Sequence, residues 1–334
     1  INIQGDRITT MLVTFPRFIL AELNTHRLFS RNSASSRAIP FEKMVESVEQ
    51  NPFIPIAWQK DHKGMQGTEY FTDKVDILNN ECLWLNCCNS AIFNATCLNE
   101  NQLTKQLANR ILEPFMWHTV LITATEWENF FNLRCPQYNS NGELGNEIFR
   151  SKKEFIRETG MDDDGVKIFD EDNAWLRINS GKSEIHMMAL AEAMYDAKNE
   201  STPVLLNPGE WHIPFKEHVD GKLFQEHVLT HCTLDTFSKV AIETLLKISV
   251  ARSARTSYTI VGTDHFSPFE HIGQAMTMKE YCTFVKGETE VIECDEPNPG
   301  QWVSYSKNWN HDKISGWCNN FKGFKQYRYV LENE

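Results

Sequence analysis

The densest set of side chains able to do chemistry lies in NTHRLFSRNSASSR, which places His26, Arg27, Ser30, Arg31, Asn32, Ser33, Ser35, Ser36 and Arg37 within one short run. Glu22, His26 and Ser30 are four apart, so a helix through them would set all three on one face, with Arg27 on the side of Leu23. Beyond Ser30 the Ser/Asn density predicts a helix end or loop, where hydroxyls and backbone N–H groups are free to receive an anion such as phosphate. A solvated helix end followed by a Ser-rich loop fits the same composition. A second cluster runs through ARSARTSY and HFSPFEH, where Ser267-Pro268 reads as a turn presenting Glu270 and His271.

Other chemistries find less support. His265, Glu270 and His271 are of ligand type, and His227 and His231 lie four apart before Cys232, but no recognisable three-ligand zinc frame and no HExxH occurs. No metal site is therefore predicted. G-x-S-x-G is absent and no cysteine sits in an activating context. Cys87, Cys88 and Cys97 fall on an apolar stretch that reads as core, and Cys135 lies between Arg134 and Pro136. Neither a P-loop nor G-x-G-x-x-G is present, so a nucleotide would need another architecture.

The elements that must position these residues can be read from punctuation and periodicity. Ile8 to Phe15 is β-rich and stops at Pro16, after which FILAELNTHRLF predicts a proline-started helix. Helical patterns recur at Leu103 to Leu112, closed by Pro114; at Thr125 to Leu133, with a capping box ending in Glu128; at Ser183 to Ala197; and at Leu234 to Val250. The polar stretch between Cys135 and Gly181 reads as an insertion or lid, and Pro-rich 201–219 and the Trp/Tyr/Asn-rich tail as ordered loops.

Composition bounds the partners. The 334 residues allow two domains or one enlarged domain, with an ordinary apolar content of 41%. A net charge of −12 would repel a nucleic-acid polymer, and no apolar run is long enough to span a membrane. Nine scattered cysteines without a Cys-x-x-Cys pair favour reduced thiols, and the polar start INIQGDRITT lacks a secretory apolar segment, so a cytoplasmic protein is expected.

Taken together, the two clusters resemble the flavin-dependent thymidylate synthases. The signature R-H-R-x-x-S-x-N-x-x-S-x-R is matched by the run from Thr25 to Arg37, and H-x-S/T-P-F-E-H by HFSPFEH throughout. Arg255-Thr256-Ser257-Tyr258 matches an Arg-x-Ser-Tyr run. Arg110-Ile111-Leu112-Glu113-Pro114 resembles Arg-x-x-Leu-Pro, Asn129 to Arg134 resembles Asn-Phe-Leu-x-Leu-Arg, and Glu184-Ile185 survives from a further element. The order differs: HFSPFEH here follows the first motif by more than two hundred residues instead of preceding it, which a circular permutation accounts for. Residues depart too. Thr25 stands for the first arginine, Ser33 for a glutamate, Ser36 for a glycine and Glu22 for a glutamine, while Thr123 and Thr125 stand for a flavin-contacting Asn and Arg. Gln326 and Arg328 in the tail could replace lost contacts.

The resemblance implies an α+β fold, a mixed β-sheet flanked by long helices and enlarged by insertions. It implies one permuted catalytic core (8–40, 103–134, 181–197, 249–276) with inserts at 41–102, 135–180 and 198–248 and a C-terminal extension, 277–334. It further implies methylation of dUMP at C5 with methylenetetrahydrofolate, FAD and NADPH, in a homo-oligomer, dimer or tetramer. Arg134 and Ser35 would be catalytic; Glu22, Ser33, Ser35, Ser36, Arg37, Arg110 and Arg134 would bind the nucleotide; His26, Arg27, Asn32, Asn129, His265, Ser267 and Glu270 would hold flavin. The departures leave two alternatives: one-carbon transfer such as hydroxymethylation on dUMP or dCMP, or a non-catalytic flavin- and nucleotide-binding homologue.

Overall fold

The computed structural model describes residues 1–64, 67–139, 147–162, 164–165, 179, 183–208, 210–214, 228–229, 233, 236–255, 300–302, 317–318 and 321–326. Its centre is a three-stranded antiparallel sheet of order β1 (Thr9–Pro16), β3 (Trp117–Ala124), β2 (Ser30–Ser33). The mixed sheet expected from the resemblance is thus, among the described strands, an antiparallel one, with helices around it in an α+β arrangement. β3 is central, paired with Thr9 to Pro16 on one side and Ser30 to Ser33 on the other, and its run VLITA is buried throughout.

Strand alternation divides the sheet into two faces. Met11, Phe15, Val120, Ile122 and Ala124 join a core with Trp127, Phe130 and Phe131 of α5 (Glu128–Arg134) and with Met187, Leu190, Ala191 and Met194 of α7 (Ile185–Glu200). Trp127 is almost completely buried, tilted against Phe29 at 4.7 Å between centroids and stacked on Phe131 at 6.0 Å. Its indole N–H donates to the Ala124 carbonyl at 3.1 Å.

A second core gathers α2 (Phe41–Gln50), α3 (Lys74–Glu100), α4 (Lys105–Ala108) and the 3₁₀ helix Asn109–Phe115. The region 41–102 therefore carries helices of its own, one of them 27 residues long. Of the cysteines expected in the core on α3, Cys88 is buried, Cys97 is partly buried and Cys87 is exposed. Asn109, fully buried at the junction, donates through its amide to the carbonyls of Ser36 (2.7 Å) and Ile39 (3.0 Å), fixing the loop that follows β2.

Remaining elements are β4 (Tyr138–Asn139), β5 (Ile148–Phe149), α6 (Lys152–Thr159), α8 (Phe237–Arg255), β6 (Gly300–Trp302), β7 (Trp317–Cys318), β8 (Phe321–Lys322) and β9 (Phe324–Gln326). Several sequence expectations change in detail. The helix expected over 18–29 is a 3₁₀ turn, Arg17–Ile19, followed by the short α1 (Leu20–Leu23) and then turns. The loop expected after Ser30 is strand β2, because pairing with β3 satisfies its backbone despite poor strand propensity. The helix expected over 103–112 switches to 3₁₀ geometry at Asn109 and includes Pro114. No capping box forms at Thr125; α5 starts after Trp127 without a side-chain cap, and the Thr125 hydroxyl instead accepts from Lys322 N at 2.9 Å. Among the described residues no helix is long and apolar enough to cross a membrane.

Candidate functional site

Two segments far apart in sequence meet at one point. α5 ends on Arg134, and the turn after α1 carries His26; the Arg134 Nε donates to His26 Nε2 at 3.2 Å. Arg134 also donates to the Ser183 hydroxyl at 3.2 Å and faces the Glu22 carboxylate at 3.6 Å. A guanidinium cannot accept, so His26 Nε2 must offer its lone pair and the ring proton resides on Nδ1. The imidazole sits edge-on to Phe130 at 4.8 Å and over Phe29.

Electrostatics agree with this tautomer. Burial, then the charges of Arg134 and Arg31, lower the His26 pKa to about 4. Glu22 is raised above the ordinary carboxylate range by burial and by the nearby Glu184 carboxylate, against the pull of Arg134. Glu184 caps α7 by accepting from Met187 N at 2.8 Å and accepts a hydrogen bond from His186 Nδ1 at 2.6 Å, while Ile56 N donates to His186 Nε2 at 3.1 Å. Both nitrogens of His186 are thereby committed, so it fixes the 53–58 loop and offers no free base. Tyr70, raised by burial and by Glu184, borders the same group. Arg31 belongs to the first motif, whereas Tyr70 and His186 had no motif to announce them.

β2 splits its polar residues between the two faces of the sheet. Register pairs Ser30 with Thr123 and Asn32 with Leu121 on one face, and Arg31 with Ile122 and Ser33 with Val120 on the other. Glu22, His26 and Ser30 therefore do not share a helix face. Arg31 donates to the Leu23 carbonyl at 2.9 Å. Asn32 donates to the Ser253 carbonyl at 2.6 Å, so the last turn of α8 is held beside the first motif. Ser35 accepts from Arg37 N at 3.4 Å, and Arg37 is exposed.

A second polar cluster surrounds Glu113. Ser36 donates to Glu113 Oε1 at 2.5 Å, and Arg17 and Arg110 approach the same oxygen at 3.5 and 3.7 Å. Arg17 also donates to His118 Nε2 at 2.8 Å, and burial and Arg17 lower the His118 pKa to about 3. Arg17 is a functional candidate that sequence reasoning missed; its partner lies a whole domain core away along the chain.

For flavin, the described donor set is His26, Arg27, Asn32 and Asn129. Arg27 and Asn129 are exposed and carry no hydrogen bond or ion pair among the described residues, leaving a guanidinium and an amide available to an anionic dinucleotide. That chemistry fits the group, although the Asn32 amide already serves Ser253. The two departures at flavin-contacting positions are accounted for internally: Thr123 bonds Thr10 at 2.9 Å, which in turn bonds His212 Nε2 at 2.9 Å, and Thr125 holds Lys322. His265, Ser267, Glu270, His227, His231 and Arg328 lie outside the described residues. Among the described residues no group of three or more His, Cys, Asp or Glu side chains could hold a metal ion. Burial drives the Cys135 thiol well above its ordinary range, which disfavours the nucleophilic thiolate.

The depressed histidines predict a pH dependence of stability. Well above pH 6.5 both imidazoles are neutral in the folded and the unfolded chain and contribute no slope. As pH falls from 6.5 towards 4, the unfolded chain takes up protons that folded His26 and His118 refuse, so stability falls. Urea midpoints should decline over that window, and the double variant H26Q/H118Q should flatten the decline. An unchanged slope in the double variant would contradict the assignment.

No protein-family model matches the chain, and no curated protein matches it. Among solved structures, two of a UMP/dUMP methylase, PolB from Streptomyces cacaoi, are similar to it, one bound with 5-Br dUMP and one with 5-Br UMP. They share 14% and 15% identity over 57% and 59% of this chain and 70% and 76% of that chain, with a TM-score of 0.32 for each. A likeness at that TM-score does not establish a shared fold.

Proposed function

We propose that this chain is a flavin-dependent, thymidylate synthase-like enzyme that transfers a one-carbon group to C5 of a pyrimidine deoxynucleoside monophosphate, with dUMP as substrate and dTMP as product. The observation that carries the reading is the contact between Arg134 and His26, which joins the two resembling segments 108 residues apart. C5 becomes nucleophilic only when charge developing on the ring carbonyl is stabilised, and a fixed guanidinium does this well. Arg134 takes that role, leaving Glu22 and Ser183 to face the base. Ser35, Ser36, Arg37 and Arg110 are the phosphate donors, with Ser35 beside the reacting nucleotide. His26, Arg27, Asn32 and Asn129 together with His265, Ser267 and Glu270 would hold FAD, which when bound and reduced would supply the hydride, with NADPH and methylenetetrahydrofolate as co-substrates. His26, kept neutral, orients Arg134 without adding a competing positive charge.

Glu22 favours a second reading. A carboxylate beside Arg134 accepts from the N4 amine of cytosine, whereas an amide at that position serves uracil O4. Tritium release from C5-labelled dUMP and dCMP, with FAD, NADPH and methylenetetrahydrofolate present, separates the two. Release from dUMP with dTMP formed is the expected result; release from dCMP alone selects the second reading, and release from neither overturns both.

A further inference from the structure

Among the described residues Glu113 is the carboxylate that pairs with both Arg17 and Arg110, and one of its oxygens receives all three contacts: the Ser36 hydroxyl and both guanidinium groups. Two guanidiniums and a hydroxyl converging on one oxygen make a donor set for a phosphate oxygen. Ser36 and Glu113 are also two departures from the resembling pattern, where glycine and leucine stand, and here they are bonded to each other. The ion pairs leave one positive charge uncompensated, because Arg17's other partner, His118, is neutral. The cluster opens to solvent on the Arg110 side, whose side chain is 53% exposed against 17% for Arg17.

We infer that Arg17, Arg110 and Ser36 form a cradle for a phosphate monoester, that Glu113 occupies it as a resident anion in the empty protein, and that binding displaces this carboxylate from Ser36 and Arg110. The inference rests on the nucleotide reading above but assigns two residues which that reading does not include, Arg17 as a ligand and Glu113 as the group displaced. Arg17, whose guanidinium has five N–H donors, is shared: it binds the phosphate and stays beside Glu113 as counter-ion, so the carboxylate is not stranded without a partner. No covalent bond is made or broken; one anion replaces another on Ser36 and Arg110.

Isothermal titration with inorganic phosphate tests this directly on wild type, Glu113→Gln and Arg17→Gln. Glu113→Gln keeps the shape and removes the competing charge, so it should bind phosphate at least tenfold more tightly than wild type. Arg17→Gln should bind at least tenfold more weakly. In phosphate-free buffer Glu113→Gln should melt below wild type, because two cations then face each other, and phosphate should restore its Tm. If Glu113→Gln destabilises too far to titrate, Glu113→Asp, which withdraws the carboxylate by one methylene, should also tighten phosphate binding. Phosphate affinity unchanged or weakened in Glu113→Gln overturns the proposal and leaves Glu113 a structural counter-ion. Parallel titrations with dUMP and deoxyuridine keep the two failures apart. If both bind but Glu113→Gln does not tighten phosphate, the cradle fails and the nucleotide reading stands; if phosphate responds as expected while neither binds, the cradle stands and the nucleotide reading fails.

Discussion

Exchanging Arg134 for glutamine should lower kcat/KM for the proposed C5 transfer by ~10²–10³-fold, the loss expected when one preorganised donor to a developing oxyanion is removed. Arg134 is the junction of the site: it donates to His26 and Ser183 and faces Glu22. The variant therefore has a spectroscopic signature that a merely structural arginine would lack. With the guanidinium gone, the His26 pKa should rise from about 4 because a neighbouring positive charge is lost, although burial, the largest cause, remains. Glu22 loses the one neighbour that lowers its pKa and should rise further, with Glu184 still beside it. NMR titration of the His26 ring reports the first shift. Arg134→Lys should recover part of the charge but not the Nε–H bond to His26, so it should remain well below wild type. Wild-type kcat/KM in Arg134→Gln would remove Arg134 from the mechanism.

The largest expected stability effect comes from Trp127→Ala. Trp127 is 2% exposed and contacts Phe29 and Phe131, and its truncation should cost ~3–5 kcal/mol, read from urea unfolding. Trp127→Phe keeps a ring in the cavity but forfeits the bond to the Ala124 carbonyl, and should cost about 1–3 kcal/mol. Phe29 leads directly into Ser30 and packs on both Trp127 and Phe130. The alanine variant should thus loosen the first motif as well as the core, and a loss under about 1 kcal/mol would contradict the packing described.

Much of the scaffold was legible because its signals are local. ITTMLVTF shows β-branched residues ending at a proline, and β1 lies there; the helical patterns at 183–197 and 234–250, rich in helix formers, fall on the helices Ile185–Glu200 and Phe237–Arg255. What escaped depends on partners remote in sequence. Ser30 to Ser33 has no strand propensity of its own and becomes a strand because β3 offers a paired edge. The helix α3 is uncharged from Cys82 to Asn99 and has little amphipathic contrast, so neither its existence nor the exposure of Cys82 and Cys87 could be read from periodicity. In the candidate site, the types of Glu22, His26 and Arg134 were readable, but their meeting was not; Arg17 was missed because only folding brings it to Glu113.

Asn109 has a kinetic consequence. Its single amide staples the Ser36 and Ile39 carbonyls, so the loop bearing Ser35, Ser36 and Arg37 is anchored before any ligand arrives. An incoming anion need not wait for that backbone to fold around it. The movement left is rotation of one carboxylate, a ps–ns event for a side chain, far faster than encounter. Phosphate association should accordingly be a single exponential whose observed rate rises linearly with concentration, without the plateau that a slow loop closure would impose.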